Sequence, residues 1–293
     1  MANANGWGDG ASNNDIGWGK GADNAIGWGS VYSVSEAGAT DIIGTVPFDT
    51  DAQAFITAAA ITDPTQQAAI NTLVVNLKGY NIWTKMKALY PFVGGTASTH
   101  KFNLKNPLDT DAAFRLVFNG GWTHSANGAL PNGTNAYADT FLNDNTVNTL
   151  NNVHISVYSR TNTTTQSADI SSYDGTNLTS IYPYLANAIY TMAHQTAVSA
   201  VTPFVNSLGL FIANRTNSTQ LFTFKNTTKY TSAFNSVAKS NNNFYLSRAS
   251  ATTGNYSDRQ LAFASIGDGL TDTEAANFYT AVQNFNTALA RQV

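Results

Sequence analysis

The fold is decided by residues 265–279, which read Ser265-Ile-Gly-Asp-Gly-Leu-Thr-Asp-Thr-Glu-Ala-Ala-Asn-Phe-Tyr279. Ser265 and Ile266 end an alternating apolar run that begins at Leu261. Such alternation is typical of a β-strand. A capping box follows, in which the Thr271 hydroxyl accepts from a first-turn amide and Glu274 reaches back to the N-cap amide. Helical spacing then links Ala275, Phe278, Val282, Phe285 and Leu289. The stretch therefore predicts a strand, a turn and a helix that packs on a sheet.

The strand pattern recurs through the second half of the chain. Apolar residues alternate with polar ones at residues 114–118, 153–158, 208–212, 221–224, 244–246 and 261–266. Clusters of Asn, Gly, Thr and Ser separate these runs at spacings typical of antiparallel hairpins. We therefore predict a mainly β domain over residues 91–293, built from two packed antiparallel sheets with a C-terminal helix.

Residues 51–90 carry helical patterns instead. One short helix is expected from Asp51, and a second is capped by Asp63 with Pro64 at its first position and Gly79 at its end. A further helical turn is expected between Asn81 and Pro91, carrying Trp83, Met86 and Leu89. We expect these short helices to pack on the sandwich, with residues 31–50 as a connector.

Residues 1–30 hold three copies of Gly-Trp-Gly, centred on Trp7, Trp18 and Trp28. Ile16 and Ile26 precede the second and third copies. Because so many glycines carry a high ordering entropy, this irregular segment is not expected to fold alone. It is either a flexible tail or a segment that docks on another surface or on copies of itself. The regular spacing of large indole rings favours docking or oligomerisation.

Composition excludes several classes of protein. The net charge is -3, which argues against nucleic-acid binding, since that needs a basic face. Charged residues make up only 11% of the chain. Cysteine is absent, and this excludes disulfides, thiolate metal sites and cysteine nucleophiles. The start has neither a basic nor an apolar signal region, and no apolar run approaches the length of a membrane span. We expect a soluble protein that is not exported by the usual route and has no membrane partner.

Four stretches carry a family resemblance, namely residues 79–92, 114–125, 131–139 and 265–279. Through them, residues 50–293 resemble the concanavalin A-like, laminin-G-like jelly rolls of phage and prophage structural proteins. The N-terminal repeats are similar to short repeats at the ends of phage fibre proteins. The resemblance implies a virion component, such as a head fibre, a capsid decoration or a tail fibre, with an outward adhesive jelly roll. It implies other virion proteins as partners and self-assembly, for which we expect a homotrimer.

Enzymatic function is not expected. Glycoside hydrolases of this superfamily resemble the chain in fold but use two Glu on one strand, whereas the only Glu here are Glu36 and Glu274. A glycoside hydrolase would instead have to use an Asp pair, for which Asp109 and Asp111 are the candidates. The four His residues lack metal-ligand spacing, and no cofactor is expected. Calcium stays open, with weak candidate ligands in Asp109 and Asp111, and in Asp139 and Asp144.

A host-glycan lectin is the alternative function. Trp122 and His124 precede a loop rich in amides, and Asn132 and Tyr137 lie in and after that loop. An aromatic ring flanked by amides and hydroxyls can stack on a sugar while its neighbours bind the sugar hydroxyls. The competing interpretation places Trp122 and Tyr137 in the core or at the edge of the sandwich.

Overall fold

A computed structural model describes residues 47–196, 200–249 and 254–293. The predictions that concern Trp7, Ile16, Trp18, Ile26 and Trp28 lie outside the described residues. The described part is mainly β, with two antiparallel sheets that face each other and helices near both ends.

Within the described residues, five α-helices form where the sequence supplies caps. They are α1 (Thr50–Ala58), α2 (Pro64–Gly79), α3 (Ala97–His100), α4 (Asp144–Val147) and α5 (Asp272–Ala288). The Asp63 side chain accepts from the Gln66 amide at the start of α2, with Pro64 in the first turn. Both halves of the capping box join Thr271 and Glu274 at the start of α5. These local predictions are confirmed.

The first sheet has eight strands. They are β1 (Met86–Tyr90), β3 (Trp122–Ser125), β4 (Gly128–Pro131), β6 (Val153–Ser159), β11 (Gly209–Arg215), β12 (Leu221–Lys225), β13 (Thr228–Ser232) and β15 (Leu261–Gly267). Their order is β13-β12-β11-β6-β15-β4-β3, and β1 also pairs with β15. Strand β15 is therefore central: β6 lies on one side of it, with β1 and β4 sharing the other.

The second sheet has seven strands. They are β2 (Val117–Asn119), β5 (Tyr137–Asn143), β7 (Ile170–Tyr173), β8 (Leu178–Leu185), β9 (Ala188–Gln195), β10 (Ala200–Pro203) and β14 (Asn243–Leu246), in the order β10-β9-β8-β7-β14-β5-β2. The main core lies between the two sheets and includes Val157, Ile181, Phe211 and Phe244. Two packed antiparallel sheets confirm the predicted β-sandwich.

Helix α5 covers the outer face of the eight-stranded sheet. Its Phe278 ring packs edge-on against Phe263 of β15 and His154 of β6, and Phe285 also contacts Phe263. Helix α2 packs against α5. Helices α2 and α5 therefore form a third layer on one side of the sandwich.

Two local predictions are wrong. The helical turn expected from Asn81 is a 3₁₀ turn at Trp83–Lys85 followed by strand β1, which pairs with β15. Ala88, Leu89 and Tyr90 are all fully buried, so the strand shows no alternation and its apolar spacing imitates a helix. The strand expected at residues 114–118 is only β2, because Phe114 ends a 3₁₀ turn in the left-handed conformation.

Candidate functional site

Trp122 and His124 close the open side of the sandwich instead of facing solvent together. They lie on β3, an edge strand, opposite β2 at the edge of the other sheet. The Trp122 indole Nε1 donates to the main-chain oxygens of Asn119 and Tyr137, at 3.0 and 3.2 Å. Its ring packs edge-on against Phe118 and against the core. This geometry favours the edge interpretation of Trp122 over a sugar-stacking role.

His124 belongs to a histidine pair. Its Nδ1 lies 3.0 Å from Nδ1 of His100, so one ring donates to the other. Burial, with the neighbouring His124 and Arg291, lowers the pKa of His100 to about 3, and burial also lowers the pKa of His124. The pair is therefore neutral at pH 7 and packs against Phe92 and Phe118.

Asn132 shapes its own loop. Its side-chain oxygen accepts from the amides of Thr134, Asn135 and Ala136, at 3.0, 3.1 and 3.1 Å. The residue is exposed, but its carbonyl oxygen is committed to the turn. The turn therefore occupies the Asn132 side-chain oxygen that the glycan-binding prediction would use.

The calcium candidates are held in ion pairs. Asp109 contacts Lys101 at 2.5 Å and Arg115 at 3.1 Å, and Asp111 contacts Arg115 at 2.9 Å. The Lys101 and Arg115 side chains lower the pKa of Asp109. Among the described residues, no group of three or more His, Asp or Glu is placed to hold a metal ion. Their charges are matched by cations, which disfavours Asp109 and Asp111 as calcium ligands.

The outer face of the seven-stranded sheet carries a set of tyrosines. Each core-facing residue of these strands has an outward neighbour, because side chains alternate between faces. Five adjacent strands each place one tyrosine outward, and we call this surface the tyrosine face: Tyr190, Tyr182, Tyr173, Tyr245 and Tyr137, on β9, β8, β7, β14 and β5. All but Tyr245 are half-buried. Within the described residues, no helix of the third layer covers this face.

One end of the tyrosine face is an aromatic cluster with a cation. The Arg248 guanidinium lies over the rings of Tyr137 and Tyr245, at 4.4 and 5.3 Å from their centroids. The Tyr137 ring also contacts Tyr245 edge-on at 5.9 Å and Tyr256 at 6.5 Å. The cluster therefore joins two strands and the segment that follows β14.

Polar groups adjoin this cluster. Asp139 pairs with Tyr245 across β5 and β14, and its carboxylate accepts from Asn243 Nδ2 and the Phe141 amide, at 3.0 and 2.8 Å. Burial raises the pKa of Asp139, and nearby Asp111 acts in the same direction. Asp139 and Asn243 remain half-exposed, and Asp139 shares the outer face of β5 with Tyr137, two residues away.

The centre of the face is covered by the chain itself. Two short arms, residues 247–249 and 254–257, adjoin this face, and a bridge between Arg248 and Tyr256 joins them. The Ser171 hydroxyl donates to the main-chain oxygen of Ala249 and also bonds to Ser180. Ser171, Ser180 and Met192 are fully buried. A ligand therefore meets the flank around Tyr137, not the middle of the sheet.

Two buried histidines are structural. His194 contacts the Leu150 main-chain oxygen through Nδ1 at 2.6 Å and Asp144 Oδ1 through Nε2 at 3.0 Å. His154 donates from Nδ1 to the Asp268 main-chain oxygen and accepts from the Ser265 hydroxyl at Nε2. Both are fully buried with both ring nitrogens engaged, which leaves neither free to act on a substrate.

Sequence reasoning missed most of the cluster. Tyr245, Arg248 and Tyr256 stand more than a hundred positions after Tyr137, and only the pairing of β14 with β5 brings them together. Tyr182 and Tyr190 face each other across a hairpin that carried no strong turn signal. One sequence signal was available: Tyr182 and Tyr245 each adjoin apolar residues of the core, and this alternation predicts that both tyrosines face outward.

Comparison with known proteins gives fold-level likenesses only. No protein-family model and no curated protein matches the chain. Domain 4 of a GH43 extracellular arabinanase from Geobacillus stearothermophilus, in complex with arabinotriose, matches 66% of this chain and 98% of its own, with 12% identity and a TM-score of 0.40. Trypanosoma rangeli sialidase with 2,3-difluorosialic acid matches 73% of this chain and 38% of its own, with 7% identity and a TM-score of 0.46.

The receptor-binding domain of botulinum neurotoxin type G matches 67% of this chain and 51% of its own, with 13% identity and a TM-score of 0.38. With scores this low, the likenesses carry no argument about function. The chain spans about two-fifths of the sialidase and about half of the neurotoxin domain. Finally, none of the helices in the described ranges has the length and apolarity needed to cross a membrane.

Proposed function

We propose that the sandwich is a non-catalytic carbohydrate-binding module whose site lies at the Tyr137 end of the tyrosine face. One observation carries this proposal: the half-buried Tyr137 ring, which contacts Tyr256, shares the outer face of β5 with half-exposed Asp139, whose carboxylate binds half-exposed Asn243. A pyranose ring stacks its apolar face on an aromatic ring while its hydroxyls pair with carboxylates and amides. Arg248 fixes the orientation of Tyr137 by stacking on it.

A glycan array with the full chain tests this proposal. We expect a defined set of glycans to bind, and Tyr137→Ala to weaken that binding by about fivefold, since ring stacking contributes about 1 kcal/mol. Tyr80→Ala is the matched control, because Tyr80 is a half-buried tyrosine at the end of α2, in the helical layer. An array without signal, or equal losses in both variants, contradicts the proposal.

Hydrolysis is not part of this proposal. A glycosidase needs two carboxyl groups at one bond. Asp139 has a raised pKa and a neighbour in Asp111, but the Asp111 carboxylate is bound to Arg115. We expect no turnover of any glycan that the array identifies. Release of product that disappears in Asp139→Asn would reassign the site as a hydrolase.

We propose a second role for residues 1–30, which is docking to a larger assembly. The three Gly-Trp-Gly copies favour it, and the resemblance to virion proteins suggests a phage particle built from this chain and others. Light scattering on the full chain should give an oligomer, and replacing Trp7, Trp18 and Trp28 by Ser should give a monomer. If both proteins are monomeric, the repeats do not join copies of this chain, and docking on another virion protein becomes the role to test.

A further inference from the structure

The two arms beside the saccharide site are held by one buried residue, Asp169. The main-chain oxygen of Asp169 accepts from the Ser247 amide at 2.8 Å. Its Oδ1 accepts from the Ser257 hydroxyl at 2.7 Å and from Arg259 Nε at 2.8 Å. The Ser257 amide donates to the Ser247 oxygen at 3.0 Å, which closes the base of the arms. Asp169, which directly precedes β7, thus binds Ser247 in the first arm and Ser257 in the second.

Arg259 extends this anchor to a second loop. Its Nη1 donates to the Thr165 oxygen at 2.8 Å, and its Nη2 donates to the Ser167 oxygen at 2.6 Å. Arg259 and Asp169 are both fully buried. Because a buried ion pair contributes little net stability, its consequence here is geometric: it fixes where the arms leave the sheet.

The arms carry the two groups that complete the aromatic cluster. Arg248 follows Ser247 directly, and Tyr256 directly precedes Ser257. Each anchored residue is therefore adjacent to one that contacts Tyr137. We therefore expect a displacement of Ser247 or Ser257 to move Arg248 or Tyr256 away from Tyr137.

We propose that Asp169 and Arg259 are positioning residues of the saccharide site, which set its geometry by fixing Arg248 and Tyr256 against Tyr137. This proposal rests on the proposed function. In this proposal Asp169 and Arg259 affect glycan specificity through Arg248 and Tyr256, without contacting the ligand. A shift of about 1 Å in such a supporting element is enough to remove most of an oriented interaction.

Three variants and one matched control test the pair. Arg259→Lys keeps the charge but loses the forked contacts to Thr165 and Ser167. Asp169→Asn removes the charge, and Ser257→Ala removes one bond to Asp169 as a milder change. Arg291→Lys is the control: Arg291 is an equally buried arginine that donates to the oxygens of Pro91 and Phe92, away from the arms.

Two readouts separate positioning from simple stabilisation. The first is the NMR resonance of the Arg248 side chain, which we expect the Tyr137 and Tyr245 rings to shift, and which needs no ligand. The second is the Kd for a glycan from the array. We expect each of the three variants that folds to move the Arg248 resonance and to weaken binding, by about tenfold for Arg259→Lys. The control should change the Kd by less than about twofold.

The outcomes are distinguishable. An unchanged Arg248 resonance and Kd in folded Arg259→Lys and Ser257→Ala overturn the positioning proposal. Equal effects in Arg291→Lys also overturn it, since the effect then follows general destabilisation. If the wild-type chain binds no glycan, the proposed function fails, while the Arg248 resonance still decides whether the buried pair orients the cluster.

Discussion

Acid should destabilise the sandwich through His154, a fully buried imidazole between β6 and α5. Burial is the main cause that lowers its pKa to about 4, from an ordinary value of 6.5. The unfolded chain therefore takes up this proton first as the pH falls. The neutral ring's contribution to stability is complete above pH 6.5 and is lost progressively as the pH falls towards 4.

The magnitude follows from the two pKa values. Between pH 7 and pH 5 the linkage relation gives a loss of about 2 kcal/mol in the free energy of unfolding from His154. His154→Gln keeps a donor for the Asp268 oxygen and an acceptor for Ser265 but does not titrate. We expect its loss between pH 7 and pH 5 to be smaller than that of the wild type by this amount.

Urea denaturation of both proteins at pH 7, 6 and 5 measures the difference. Ser156→Ala is the matched control, because it removes the bond from the Ser156 hydroxyl to Ser265 in the same cluster without removing a titratable group. The free energy of unfolding of Ser156→Ala should lie below that of the wild type by the same amount at each pH. If His154→Gln retains the full wild-type pH dependence, His154 is not held neutral in the fold and the reasoning is refuted.

Three further outcomes follow from packing and charge. Trp122→Ala should cost about 3 kcal/mol of stability, measured by urea denaturation, because it empties the side of the sandwich; a loss of glycan binding at unchanged stability would restore it as a sugar-stacking residue. Calcium or EDTA should leave Tm unchanged, since Asp109 and Asp111 pair with Lys101 and Arg115; a rise in Tm with calcium would contradict this. Gly128→Ala should cost at least about 2 kcal/mol by the same denaturation measurement, because Gly128 has a φ of 120° and its added Cβ would strike the Leu261 oxygen; unchanged stability would show that β4 can shift.

Local signals in the sequence predicted the capped helices and the strands with clean alternation. Helices α2 and α5 and strands β6, β11, β12, β14 and β15 all form where apolar spacing and turn residues place them. The hairpin of β8 and β9 was not predicted, because its turn residues, Ala186 and Asn187, adopt positive φ of 47° and 63°. Such a turn favours Asn-Gly, and alanine gives no warning of it.

The candidate site was less predictable for a different reason. Tyr137 could be singled out from its loop, but its neighbours are set by the order of strands in the sheet. The buried pair of Asp169 and Arg259 gives no local pattern, because charged residues are ordinarily expected at the surface. Long-range pairing therefore determines the site, and no window of sequence contains it.

The central position of β15 has a consequence for how the chain acquires its structure. This strand comes near the end of the sequence yet separates β6 from β1 and β4, and it pairs Ser265 with Leu89. Until it is inserted, its neighbours present unpaired edges that can associate with other chains. Contacts this distant in sequence slow folding, because a long loop must close before they form. We therefore expect folding after synthesis to be slow and sensitive to protein concentration, with aggregation competing until β15 is in place.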